Sequence, residues 1–430
     1  MKTKTTLKTY VAMAAAAIAL QGCAGDGAKK TTPASDAAPA VRAMTLGDAN
    51  TPADVAEAMG MGWNLGNSLD SWTAEGGLAA ETAWSNVPSC QGLFDLVAKA
   101  GVKTVRIPVT WLGHTGPAPE YKIDEAWLDR VAQVVGYAEA AGLNAIINIH
   151  HDGADGAHWL NIKGAAADAA VNKAVQTQLR AMWTQIAKKF QDKGPWLIFE
   201  VLNEIHDGGW GWGDNRNDGG KQYKTLNEWN AAAVEAIRAT GGENATRWIS
   251  VPSYVTNFDF AVKYLKLPAD PAKRLMVAIH FYDPNKYTLD AEFSEWGHLA
   301  APDKKLNWGD EDNVRDIFAA MKTKFINAGT PVYIGEIGCV RRDDERSEAF
   351  RKYYLEFVCA AARTYCMAPI FWDNGYLGTG KEQSGLIDRK EVAFANDGEE
   401  VLKLMVNAVN NKNLTLQQIE AKPIESYMKK

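Results

Sequence analysis

The chain is short of several things that would mark other classes of protein. Its early apolar run, Tyr10 to Leu20, is too short to cross a membrane. Basic residues number 46 against 52 acidic ones, the formal net charge is -6, and no basic run exceeds two or three residues. That balance points away from nucleic acid and toward an uncharged partner. The 5 cysteines include no Cys-x-x-Cys pair, so the familiar zinc and redox spacings are missing. No phosphate loop follows the first candidate strand, because Gly62-Trp-Asn-Leu-Gly-Asn67 lacks the Gly-x-Gly-x-x-Gly spacing. Past residue 44 there is no Ser- or Pro-rich linker and no sign of a second domain.

What is present is a large stock of core-forming residues: 430 in all, 47% hydrophobic and 10% aromatic, with 15 Trp. Lys2, Lys4 and Lys8 precede the early apolar run, which ends at Leu20-Gln-Gly-Cys23. This pattern predicts a secretory signal over 1–22. Its ending resembles the lipobox of bacterial lipoproteins, with Gln where Ala or Ser is commoner. The resemblance implies cleavage before Cys23 and lipidation of that cysteine. Residues 24–44 have almost nothing to bury and read as a flexible tether. The expectation is an exported lipoprotein of the outer membrane or cell surface; a periplasmic or freely secreted protein is the alternative. Cys90, Cys339, Cys359 and Cys366 then allow three full pairings, or remain buried thiols.

From residue 45 one unit recurs: an amphipathic helix, a glycine at its end, then a short apolar strand. Lys99-Ala-Gly101, Ala140-Ala-Gly142 and Asn327-Ala-Gly329 each end such a helix. Eight strands are expected: Gly62 to Leu65, Thr104 to Val109, Asn144 to His150, Trp196 to Asn203, Trp248 to Ser253, Leu275 to Phe281, Val332 to Ile337 and Pro369 to Trp372. Eight such repeats predict an α/β fold, a (β/α)8 TIM barrel over 45–412, with a doubly wound open sheet as competitor. Trp127, Val131, Val134, Val135 and Ala138 share one helical face, as do Phe350, Tyr353, Tyr354, Phe357, Val358 and Ala361. Residues 413–430 read as a loosely held tail.

Surplus length falls at 151–168, 205–224 and 283–310, where loops would build the barrel mouth and carry His158, Trp159, Trp210, Trp212, Trp296 and Trp308. Trp159, Trp210 and Trp212 would offer flat platforms to a pyranose chain. The predicted strands share polarity at their C-terminal ends: Asn64 and Asn67, Arg106, His150 and His151, Asn203 and Glu204, Ser253, His280 and Tyr282, Glu336, Trp372 and Asp373. Two glutamates facing one mouth, Glu204 and Glu336, are what cleavage of a glycosidic bond needs. Arg106 and Tyr282 are available to favour the charged form of one, and Asn203 can meet a sugar hydroxyl. Glu200 points the same way as Glu204 but deeper, as a buried partner for Arg106 or His150.

This ordered set resembles glycoside hydrolase family 5, the cellulase family, over about residues 58–390. Gly62-Trp-Asn-Leu-Gly-Asn67 and Phe199-Glu-Val-Leu-Asn-Glu204 are similar to its endo-β-1,4-glucanase branches. The resemblance implies a barrel that cuts β-1,4-glycans with retention, using no metal; the expectation is a monomeric endo-acting β-1,4-glucanase without cofactor, with internal or chain-end action left open by the sequence. Glu204 would be acid/base and Glu336 nucleophile. Arg106 and Tyr282 would hold the nucleophile, His280 would contact Glu204, and Asn203 the sugar. Trp372 would stack beneath the ring on the non-reducing side, with Asn64, His150 and His151 nearby. Ile205-His206-Asp207 stands where many members have Pro, and Asp152 where many have Glu or Tyr, so the choice among cellulose-type glucan, mixed-linkage glucan, xyloglucan and mannan stays open. A metal-dependent barrel hydrolase fits less well, since adjacent His150 and His151 on a strand would point apart. A non-catalytic surface glycan-binding lipoprotein would have no need of both glutamates.

Overall fold

The computed structural model describes residues 44–153 and 158–428, so the expected signal, Cys23 and nearly all of the tether lie outside the described residues. Eight parallel strands close in chain order: β1 Gly62–Leu65, β2 Thr104–Ile107, β3 Asn144–Asn148, β4 Leu197–Glu200, β5 Ile249–Pro252, β6 Leu275–Phe281, β7 Val332–Ile337 and β8 Met367–Asp373. β8 pairs back onto β1, with Asn64 opposite Trp372, so the sheet has no edge and the open-sheet alternative fails. Nearly every strand residue is buried, which is why the strands read as apolar runs rather than alternating ones.

The barrel's inner space is layered. Helix Pro52–Met59, started by a Thr51/Asp54 capping box and a proline in its first turn, contacts β7 and β8. Its Val55 and Met59, with Leu46, join Ile146, Ile198, Met276, Tyr333 and Ile370 in one apolar cluster. Next comes a polar layer in which Asn64, Arg106, Asn148, Glu200 and Ser250 are all at most 1% exposed. That layer is the floor of the site.

One irregularity aims a catalytic candidate. Tyr333 belongs to the inner cluster, while Val332, Ile334 and Ile337 belong to the outer one. Strict alternation from Tyr333 would send Glu336 outward. Between Ile279 and His280 the β6–β7 register slips by one residue, and Glu336 comes opposite His280. Gly335 is the extra residue of this bulge, and a Cβ there would lie 3.1 Å from His280 Nε2.

The helical faces predicted on Glu125–Ala140 and Glu345–Thr364 are buried. In the second helix the opposite face is buried too, and this corrects the expectation of a loose tail. Helix Leu416–Glu420 opens with its own capping box, and Leu416, Ile419, Ile424 and Tyr427 are buried. Lys422 reaches both oxygens of Glu356 at 2.7 and 2.6 Å, and the Tyr427 hydroxyl donates to the same carboxylate. The segment is mostly polar, but its few apolar side chains converge on one helix. Trp296 is a second correction: it is 2% exposed, with its indole N–H donating to Gly309 O at 2.6 Å. Cys90, Cys339, Cys359 and Cys366 are all unpaired thiols, two buried and two half-buried.

Candidate active site

Arg106 organises the polar layer. Its Nε and Nη2 hold both oxygens of Glu200 at 2.8 Å; Nη2 also donates to Asn203 Oδ1 at 2.8 Å. Nη1 donates to Glu336 Oε1 at 2.8 Å and to Asn64 Oδ1 at 3.1 Å. These bonds use all five guanidinium N–H donors. Burial alone would weaken the charge on Arg106, but Glu200 and Glu336 outweigh it and drive the pKa further up. A fixed cation therefore stands behind Glu336. Asn64 has no group left for a ligand, since its amide donates to Gly335 O and Phe371 O at 2.9 and 3.2 Å; it is a brace.

Glu336 takes a second hydrogen bond, from the Tyr282 hydroxyl to Oε2 at 2.9 Å. Burial, then the Glu336 and Glu204 charges, push the Tyr282 phenol well above its ordinary value, so it stays a donor. Glu204, at the end of the segment beyond β4, has a different setting. Its Oε1 lies 2.6 Å from His280 Nδ1 and accepts from Thr256 Oγ1 at 3.3 Å. Burial pushes the Glu204 carboxyl up, yet the His280 ring outweighs it and the net direction is down. Burial pushes His280 down, but Glu336 and Glu204 carry it above its usual 6.5. The two opposite directions describe an ion pair across a short hydrogen bond, with the pair's proton resting on the His280 ring next to a Glu204 carboxylate.

Carboxylate oxygens of Glu204 and Glu336 and a ring nitrogen of His280 all lie within 4.8 Å of one another. Deeper, Glu200 is held by Arg106, by the Tyr333 hydroxyl at 2.7 Å and by Asn148 Nδ2 at 3.3 Å. It is the buried Arg106 partner expected of it.

His150 and Trp372 lie parallel, their ring centroids 5.9 Å apart, and Asn203 Nδ2 faces His150 Nε2 at 3.4 Å. Burial, reinforced by His151 and Arg106, keeps His150 neutral. His151 packs edge-on to His150 and under Trp84, with Nε2 3.7 Å from Asp70 Oδ2. The expectation that the two histidines diverge is wrong. β3 ends at Asn148, so strand alternation no longer governs them, and Asp70, His150 and His151 form a second donor cluster. Each His150 nitrogen already faces an amide, Asn148 at 3.0 Å and Asn203, and Glu336 is committed to Arg106.

The expected platforms separate into two kinds. Trp159 is half-buried and pinned by its indole N–H to Asp152 at 2.7 Å. Trp210 and Trp212 are 59% and 81% exposed, on the loop after β4. Two strand-end residues are committed elsewhere: Ser253 donates to Asn257 O, and Asp373 accepts from the Trp63 indole; Asn67 takes a left-handed backbone and donates its backbone N–H to Asp70. Thr256 was missed from sequence; Val255 and Thr256 both have φ near +50°, a costly backbone for β-branched residues, and that turn delivers the Thr256 hydroxyl to Glu204.

Residues 70–378 match the model of the cellulase family, glycosyl hydrolase family 5. Endoglucanase A of Paenibacillus barcinonensis is 35% identical over 346 residues, 76% of this chain and 84% of that protein. A xyloglucan-specific endo-beta-1,4-glucanase of Bacteroides ovatus is 33% identical over 335 residues, covering 74% and 64%. A solved broad-specificity endoglucanase from Bacteroides salanitronis superposes with TM-score 0.83 at 55% identity, over 86% of this chain and 98% of that one. With a closed eight-stranded barrel and two carboxylates facing each other at its mouth, the chain belongs to glycoside hydrolase family 5.

Proposed function

We propose that the protein is a retaining endo-β-1,4-glucanase acting on cellulose-type chains, with Glu336 as nucleophile and Glu204 as acid/base. The observation that carries this is the pair of carboxylates within 4.8 Å, one beside a fixed cation and one hydrogen-bonded to a histidine that can supply a proton. Retaining glycosidases keep their carboxyl groups about 5–5.5 Å apart, whereas inverting ones need room for a water.

In the first step Glu336 attacks the anomeric carbon while Glu204 takes the proton from His280 Nδ1 across their hydrogen bond and passes it to the departing oxygen. In the second, Glu204 as carboxylate takes a proton from water, and the hydroxyl oxygen displaces the Glu336 ester. The proton taken from water in the second step passes through Glu204 to His280, which restores the starting ion pair. Asn203, with Oδ1 bound by Arg106 and one N–H facing His150 Nε2, has its second amide N–H for a sugar hydroxyl, and Trp372 backed by His150 supports the sugar on the non-reducing side.

Relatives named for xyloglucan and for broad specificity support a range that reaches substituted glucans. The site is complete within one chain, which supports a monomer. The Lys-rich start, the short apolar run and Leu20-Gln-Gly-Cys23 support export with an anchor at Cys23.

The test is hydrolysis of carboxymethylcellulose, mixed-linkage glucan, xyloglucan and glucomannan, with Glu336→Gln as control. Viscosity should fall ahead of reducing ends, and the variant should lose at least ~10³-fold in kcat while still binding glycan. Equal turnover by the variant, or none by the folded wild type, rejects the assignment; in the second case a glycan-binding lipoprotein takes its place.

A further inference from the structure

Six large apolar side chains stand exposed among the described residues, and four of them fall on one side of the barrel: Trp210, Trp212, Tyr264 and Leu267. They are not scattered. Trp210 lies on the His206 ring at 4.2 Å, two residues past Glu204. Beyond it Arg216 spreads over Trp212 at 4.2 Å and approaches Phe260 at 5.2 Å. Arg216 and Phe260 then line a hollow of about 450 Å³. A second hollow of about 480 Å³ adjoins it, sharing Gly220, Tyr223, Lys263 and Tyr264, and runs on to Leu267 and Pro268. Tyr264, 42% exposed, is backed by the buried Tyr223 ring, parallel to it at 4.1 Å.

We infer that this track is an auxiliary binding groove for the polysaccharide, holding a neutral β-linked glycan beyond the cleavage point on the side of the loop after β4. The inference rests on the endoglucanase reading above. A rigid ring backed by a second ring offers the flat apolar face on which the C–H side of a pyranose stacks. Along the second hollow Lys224 is paired with Glu228 at 3.8 Å and Lys263 with Asp259 at 3.9 Å, so most of the rim's positive charge is answered and Asn227 and the lysine stems face hydroxyl groups. The occupant is the substrate chain itself, because the contacts lead from the loop that carries Glu204 outward: His206 to Trp210, Trp212 through Arg216 to Phe260, and Phe260 to Tyr264 at 6.2 Å. It would act on long chains only, since a short oligosaccharide that fills the mouth ends before Tyr264.

The experiment compares wild type, Tyr264→Ala, Tyr264→Phe and Leu267→Ser on a polysaccharide and on a short chromogenic cello-oligosaccharide. Retardation in gels containing hydroxyethylcellulose is measured separately in the inactive Glu336→Gln background. The expected result is a three- to tenfold rise in polysaccharide KM for Tyr264→Ala, about the value of one stacked ring. Its gel retardation should fall, its kcat/KM on the oligosaccharide should stay within about twofold, and Tyr264→Phe should behave as wild type. Leu267→Ser, at an exposed site, should shift the same readings in the same direction. Unchanged polysaccharide KM and retardation in both Tyr264→Ala and Leu267→Ser overturn the groove. So does a wild-type dimer that dissociates in Tyr264→Ala on gel filtration, which would assign the face to self-association. Because retardation is read without turnover, absence of hydrolysis by wild type would fail the endoglucanase reading and leave the groove separately decidable.

Discussion

On the proposed function, the centre of the barrel and the loop after β4 meet the same ligand in opposite ways. At the centre Arg106 has no free donor, Glu336 is held from two sides, and Glu200 is gripped by three residues, with Arg106 and Glu200 fully buried. On the loop, Trp210 and Trp212 stand largely in solvent. Cleavage needs charges held within a fraction of an ångström, and an over-determined network supplies that. Recognition of a repetitive polymer needs only flat surfaces, so a loop that leaves its rings open is sufficient. The contrast predicts that damage at the centre is severe and indivisible, whereas damage on the loop is graded and substrate-dependent.

The hardest test of the first half is Glu200→Gln, a residue that touches no substrate. Removing one charge from a buried, bidentate pair leaves the Arg106 cation under-compensated, at a cost of about 3–5 kcal/mol. Arg106 would then re-aim toward Glu336, and a shift of an ångström costs about 10²-fold in kcat. A urea midpoint well below wild type together with a kcat loss of that order is expected. A variant as stable and as active as wild type would mean that the network is not over-determined.

A gentler probe is the proton of the His280–Glu204 pair. With His280 above 6.5 and Glu204 below 4.5, the pair holds its last proton on the alkaline side of 6.5. The stability supplied by His280 is complete below 6.5 and fades as pH rises through its folded value; that of Glu204 is present above 4.5 and fades as pH falls through its lowered value. The alkaline limb of kcat/KM should therefore lie above 6.5. In His280→Asn only Glu204 can hold that proton, and two holders always retain a last proton to higher pH than one. The limb should move to lower pH on a short chromogenic substrate, and a limb that stays in place would remove His280 from the proton's path.

The same contrast decides what was legible in the sequence. β1, β6 and β7 fall on the predicted residues, because doubly buried strands need unbroken apolar runs. Glu204 and Arg106 stood out as charges at the ends of such runs. The orientation of Glu336 did not, since it depends on a one-residue bulge at Gly335 whose only trace is a glycine in a strand. Thr256 was hidden in a strained turn, and Trp296 was misassigned to the mouth because its segment folds back onto Gly309. Loops and tails are shaped by tertiary contacts that leave no period in the chain.

The smallest effect is expected at Asp207, the clip of the loop after β4. Its carboxylate accepts from Gly209 N at 3.0 Å, Asn215 N at 3.1 Å and Gln222 Nε2 at 3.2 Å, and a Cβ at Gly213 would strike it at 2.3 Å. Tyr254 Oη accepts from Asp207 N at 2.9 Å, so both ends of the exposed aromatic turn are tied to one residue. Asp207→Ala would free the turn without touching Arg106, His280 or either catalytic glutamate. Charge-assisted hydrogen bonds on a part-exposed loop are worth about 1–2 kcal/mol together, which is less than loss of the Glu200 charge. The expected outcome is a KM for polysaccharide raised about fivefold, with kcat on a short chromogenic substrate nearly unchanged. Should kcat fall as far as in Glu200→Gln, the loop would be part of the catalytic frame, and the division between a rigid centre and a permissive rim would be wrong.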